Sequence, residues 1–92
     1  MPEASGFRLS GEVDLSTLPA MDLALDTLLE RPGDVTIDLR ELTFIDVPGS
    51  RLLAHSAIRL RSGGRRLRLR GARPQVRRTL DLLGWTALFD FG

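Results

Sequence analysis

The sequence predicts a small α/β domain of four strands and about three helices in the order β-α-β-α-β-α-β. Three observations lead there. Runs of alternating apolar and polar residues take turns with runs whose apolar residues recur every three or four positions. Glycine and proline mark the joins between them. Ninety-two residues without a cysteine form one domain, 1–92, in which folding removes roughly 60 to 65% of the unfolded chain's surface from water. A modest core is therefore expected without disulfide or thiolate-metal staples. Residues 1–6 are expected to be flexible.

The elements follow in order. Phe7-Arg8-Leu9-Ser10 alternates as a strand up to Gly11, and Glu12-Val13-Asp14 continues past it. Ser16 or Thr17 offers an N-cap, after which Leu18, Met21, Leu25, Leu28 and Leu29 keep helical spacing up to the stop at Arg31-Pro32-Gly33. Val35 to Arg40 alternates again, and Leu42, Phe44 and Ile45 carry the chain to Asp46. From Pro48 or Gly49, the residues Leu52, Leu53, Ile58 and Leu60 form the apolar side of a second helix that Gly63-Gly64 ends. Arg66-Leu67-Arg68-Leu69-Arg70 is the cleanest strand in the chain. Pro74 opens a third helix striped by Val76, Leu80 and Leu83 as far as Gly84, and Trp85 with Ala87 to Phe91 reads as a last short strand. Helices alternating with strands imply crossover connections, so strands 35–40 and 66–70 should lie parallel.

The net charge of +1 conceals an acidic half and a basic half. Residues 1–46 carry three Arg against ten Asp or Glu, whereas residues 47–92 carry ten Arg against two Asp. Nine of those Arg fall between Arg59 and Arg78 with no acid among them. A solvated or internally paired face is the first reading of this tract, because Arg66, Arg68 and Arg70 would flank Thr36, Asp38 and Arg40 in a parallel sheet. An acidic protein partner comes second. Nucleic acid comes last, since no aromatic is interleaved for base stacking.

Enzymatic chemistry has few carriers here. His55 is the sole histidine, and Cys, Lys and Tyr are absent, so acid–base or covalent catalysis would rest on carboxylates, hydroxyls and one imidazole. His55 reads as an ordinary, partly exposed helix residue. Gly63-Gly64 precedes a strand instead of following one, which rules out a phosphate loop. The chain is expected to be non-enzymatic and to need no cofactor or metal. With no apolar run of membrane-spanning length and no leader segment, it is expected to be cytoplasmic and not inserted in a membrane.

The turn Phe44-Ile45-Asp46-Val47-Pro48-Gly49-Ser50 is the expected point of contact with a partner. Asp46 suits an N-cap, Pro48 suits a first helical turn, and Gly49 permits close backbone approach.

Gly11-Glu12-Val13-Asp14, Val35-Thr36-Ile37-Asp38-Leu39, Phe44-Ile45-Asp46-Val47-Pro48-Gly49, Gly63-Gly64 and Leu83-Gly84-Trp85 with Leu88-Phe89 together resemble the successive signatures of the STAS domain, from about Phe7 to Phe91. That family includes bacterial anti-sigma factor antagonists, which act in signal transduction and transcription regulation. The resemblance implies a STAS-type fold on a mixed four-stranded sheet. It also implies a switch protein that binds an anti-sigma factor or a related kinase-fold protein through the strand-to-helix turn and neighbouring loops. The expected contact residues are Asp46, Val47, Pro48, Gly49, Ser50 and Leu52, with Asp14, Leu15 and Thr17 beside them.

The family's turn usually reads Asp-Ser-Ser-Gly, and its second serine takes the phosphate that breaks the complex. Asp46 and Gly49 match, but Val47 and Pro48 stand where the serines would be. Proline has no hydroxyl, so phosphorylation at position 48 is chemically excluded; Ser50 is the nearest alternative, and the expectation there is a plain helix residue. Short STAS proteins lacking the phosphoserine also occur docked on the ATPase of lipid-transporting ABC systems, which makes an ABC ATPase subunit the alternative partner. A structural scaffold in a larger assembly is a third reading. Many stand-alone antagonists carry a strand before the one at Phe7, so an unpaired sheet edge and a homodimer, or a lasting heterocomplex, are also expected.

Overall fold

The structure, a computed structural model, describes residues 5–92. Strands β1 (Ser5–Val13), β2 (Val35–Ile45), β3 (Leu67–Arg70) and β4 (Asp90–Phe91) form one sheet in the order β1-β2-β3-β4. Helices α1 (Leu18–Leu29), α2 (Val47–Ser62) and α3 (Pro74–Leu82) connect them. All three strand pairings are parallel, so the sheet is not mixed as the family resemblance implied. The reason is connectivity, since each helical crossover returns the chain to the same end of the sheet.

Strand alternation places Val35, Ile37 and Leu39 of β2 and Leu67 and Leu69 of β3 on one buried face. Against it pack Met21, Leu25, Leu28 and Leu29 of α1, Leu53 and Leu60 of α2, and Val76 and Leu80 of α3. The opposite face stays polar, with Arg68 beside Thr36 and Arg70 beside Asp38 as the register requires.

Several local expectations change. Of residues 1–6, expected to be flexible, residues 1–4 lie outside the described residues, whereas Ser5 and Gly6 belong to β1. The break at Gly11 is a bulge inside one continuous strand: the register shifts between Arg8 and Ser10 and between Gly11 and Glu12, and Gly11 has a φ of 70°. Ile58 is half exposed, and the core side of α2 is filled by Ala54, Ser56 and Ala57. Serine was not read as a core residue, yet Ser56 satisfies its own hydroxyl by donating to the Leu52 carbonyl at 2.9 Å.

Helix α2 stops as its glycines indicate. Gly64 has a φ of 74°, its N–H donates to Arg61 O at 2.9 Å, and the Arg65 N–H donates to Leu60 O at 2.9 Å, which is a Schellman closure. Gly84 ends α3 in the same way, through Gly84 N to Asp81 O and Trp85 N to Leu80 O, both 3.0 Å. That closure draws Trp85 out of the sheet. Thr86–Leu88 then form a short 3-10 turn, and only Asp90–Phe91 pair with β3, so the last strand is shorter than its apolar run suggested.

Candidate functional site

Because β1 and β2 run parallel, the β1–α1 loop and the β2–α2 turn emerge at the same end of the sheet, where binding sites of open α/β sheets gather. The Asp46 N–H donates to Val13 O at 3.1 Å, tying the two segments together. The residues expected around the turn and those expected from the first loop are therefore neighbours in space.

Asp46 sits at the N-cap of α2 with extended backbone, and its carboxylate accepts the Gly49 N–H at 2.8 Å. Its carbonyl accepts both the Ser50 N–H at 3.0 Å and the Ser50 hydroxyl at 2.9 Å. Gly49 is buried, and a Cβ there would lie 2.7 Å from Val13 Cγ1 and 3.0 Å from Ile45 Cγ1. Ser50 is fully buried. Gly49 and Ser50 thus shape the turn from beneath and offer no side chain to a partner. The surface is made by Val47, 43% exposed, with half-buried Pro48 and Leu52.

Across from the turn, Leu15 is 72% exposed. Asp14 is occupied locally: its carboxylate accepts the Ser16 N–H at 2.9 Å and the Ser16 hydroxyl at 2.6 Å, and these bonds hold its pKa below the ordinary carboxylate value. Thr17 stands at the start of α1, but its hydroxyl makes no helix cap; it accepts the Asp14 N–H at 3.0 Å. Asp14 and Thr17 brace the loop, and Leu15 is the residue it displays.

Between these segments lies an open groove of about 460 Å³ lined by Leu15, Leu18, Pro19 and Asp22 on one wall and Pro48, Arg51, Leu52 and His55 on the other. Leu18, Pro19, Asp22, Arg51 and His55 were absent from the sequence reading of the contact. Their signal was present as helical spacing, because Arg51 and His55 fall three and seven residues after Pro48, and Asp22 falls four after Leu18. What could not be read was that α1 and α2 would set these stripes against each other.

The Arg-rich tract is largely spent on the protein itself. Arg59 pairs with Asp26 at 3.4 Å, Arg61 donates to Ala87 O at 3.2 Å, and Arg66 pairs with Asp90 through Nε at 3.2 Å. Arg65 donates to Leu29 O at 2.9 Å and also to Arg31 O, satisfying carbonyls at the end of α1. Arg73 donates to Arg40 O at 2.9 Å, and Arg77 lies over the Phe91 ring at 4.2 Å. Six of the nine arginines are engaged by these contacts, which favours the internally paired reading over a nucleic-acid surface.

A family model described as "Mlab, STAS domain" matches residues 1–90. The chain belongs to this STAS family. No curated protein matches it. Among solved structures, it is similar to the anti-sigma factor antagonist SpoIIAA in its unphosphorylated form, with 20% identity and a TM-score of 0.80 over 100% of this chain and 84% of that one. It is also similar to the STAS domain of a SulP transporter from Vibrio cholerae, with 18% identity and a TM-score of 0.72 over 100% of this chain and 76% of that one. At these identities the two structures show a common fold. No helix among the described residues is long and apolar enough to cross a membrane.

Proposed function

We propose that this STAS domain is a non-enzymatic docking module that binds a protein partner constitutively, through the surface formed by Leu15, Val47, Pro48 and Leu52, with no serine-phosphate switch at the turn. The observation that carries this is Pro48. By the motif resemblance it stands where the family's phosphorylated serine would be; it has no hydroxyl, and it lies in the first turn of a helix already capped by Asp46. Ser50 offers no substitute, because its hydroxyl is buried and committed to the Asp46 carbonyl. The setting of this reading is cytoplasmic, and it requires no cofactor.

The first partner class is an anti-sigma factor or a related kinase-fold protein, supported by the likeness to an anti-sigma factor antagonist. A second class, the ATPase subunit of a lipid-transporting ABC system, is supported by the missing phosphoserine. A homodimer through β1 belongs to neither and is a separate proposal. Among the described residues β1 pairs only with β2, and the two register shifts along it blunt the free edge.

Affinity capture from the native cell with the wild-type chain and with Leu15→Asp and Val47→Asp tests the docking reading. Loss of one partner in both variants supports it, and its identity as a kinase-fold protein or an ATPase chooses between the classes. Retention of every partner by both variants refutes it, and incorporation of phosphate at Ser50 on incubation with ATP and the captured kinase refutes the constitutive part.

A further inference from the structure

The seam between α1 and α2 changes character along its length. Asp26 on α1 and Arg59 on α2 bridge it at 3.4 Å. One turn nearer the Asp46 turn, the corresponding positions are Asp22 and His55, with Arg51 a further turn along. Here the walls part into the groove. Among the described residues neither Asp22 nor Arg51 makes an ion pair or a side-chain hydrogen bond, and both are exposed. The apolar part of the lining comes from Leu15, Leu18 and Pro19 on one wall and Pro48 and Leu52 on the other.

We infer that this groove, taken as the docking site proposed above, receives an amphipathic helix of the partner whose apolar stripe is flanked by a carboxylate on the side of Arg51 and a cation on the side of Asp22. An apolar trough between two helices fits the i, i+3, i+4, i+7 stripe of a third. On the α2 wall the residues from Pro48 to His55 span roughly 10 Å, which is about two helical turns. A uniformly acidic segment would meet Arg51 favourably but be repelled by Asp22, and a uniformly basic one would meet the reverse. Only opposite charges on the two flanks complement both walls. The Asp26–Arg59 bridge closes the far end, so the helix enters from the side of the Asp46 turn.

The test uses a displayed library of 16-residue helical peptides with a fixed leucine stripe and randomised flanks, selected on the wild-type chain. Recovered peptides should carry Asp or Glu on one flank and Lys or Arg on the other. By fluorescence anisotropy at low salt, Arg51→Glu should weaken a recovered peptide by roughly three- to tenfold, Asp22→Arg should do the same, and reversing the matching flank of the peptide should restore binding. Leu15→Asp, at an exposed loop position that leaves the core intact, should abolish it. Binding that needs Leu15 but ignores both charge reversals overturns this inference and leaves the docking reading standing. Binding indifferent to Leu15→Asp and Leu52→Asp as well overturns the docking reading too. Recovery of no helical peptide overturns the helix as occupant.

Discussion

Gly49→Ala is the sharpest single probe of the turn. The added Cβ would lie 2.7 Å from Val13 Cγ1, 3.0 Å from Ile45 Cγ1 and 3.1 Å from Asp46 Oδ1. Carbon–carbon contacts settle at about 3.5 to 4.0 Å, so the overlap with Val13 is about 1 Å. Val13 is 3% exposed and β-branched, which leaves its methyl little room to swing away. Asp46 Oδ1 is the very atom that accepts the Gly49 N–H, so relief in that direction strains the cap. Overpacking of this kind costs about 1 to 3 kcal/mol, while alanine's advantage over glycine inside a helix returns at most about 1 kcal/mol. At the middle of that range the clash wins, and the expected net loss is about 1 kcal/mol, or roughly 4 to 8 °C in Tm for a chain of this size. Urea unfolding of the two single variants and the double variant decides the matter. Val13→Ala destabilises alone by opening a cavity, but it removes the closest clashing atom, so Gly49→Ala should cost about 1 kcal/mol less in that background. A Gly49→Ala protein as stable as wild type, or effects of the two changes that simply add, would refute the steric argument.

Three further outcomes are expected. Asp46→Ala should cost about 1 kcal/mol whereas Asp46→Asn should cost a few tenths, because asparagine caps as well as aspartate; equal losses in urea unfolding would assign the effect to charge. Ser50→Ala should lower stability by roughly 1 kcal/mol by removing a buried bond to the Asp46 carbonyl, and a wild-type Ser50 that is labelled quantitatively without unfolding would contradict its burial. The Arg40 guanidinium and N–H, with Arg8 adding its charge, hold the Asp38 carboxylate far below its ordinary pKa. A depressed folded-state pKa means stability that is present above the unfolded value of about 3.9 and lost as pH falls below it. Asp38→Asn should therefore be less stable than wild type at neutral pH and approach it under acid, and a gap of equal size at both pH values would contradict this.

Much of the fold was legible because local chemistry and tertiary need agree. Pro74 opens α3, Gly64 and Gly84 close helices with positive φ, and the Leu67 and Leu69 alternation faces the core. The failures have physical causes too. Ile58 reads as part of the apolar side of α2 yet is half exposed, while Ser50 and Ser56 are buried because each hydroxyl bonds a carbonyl one turn back. Trp85 read as strand because its neighbours are apolar, yet the Schellman closure at Gly84 takes its N–H for Leu80.

By itself the sequence determined the order of elements, the cap at Asp46 and the absence of a phosphate acceptor at position 48, since each depends on residues close together in the chain. Only the tertiary structure decided which residues face outward there. Parallel strand pairing brings the Leu15 loop to the Val47 turn, burial withdraws Gly49 and Ser50, and the packing of α1 on α2 opens the groove that Asp22 and Arg51 flank. Those facts rest on contacts between segments about thirty residues apart, and no local pattern encodes how two helices part.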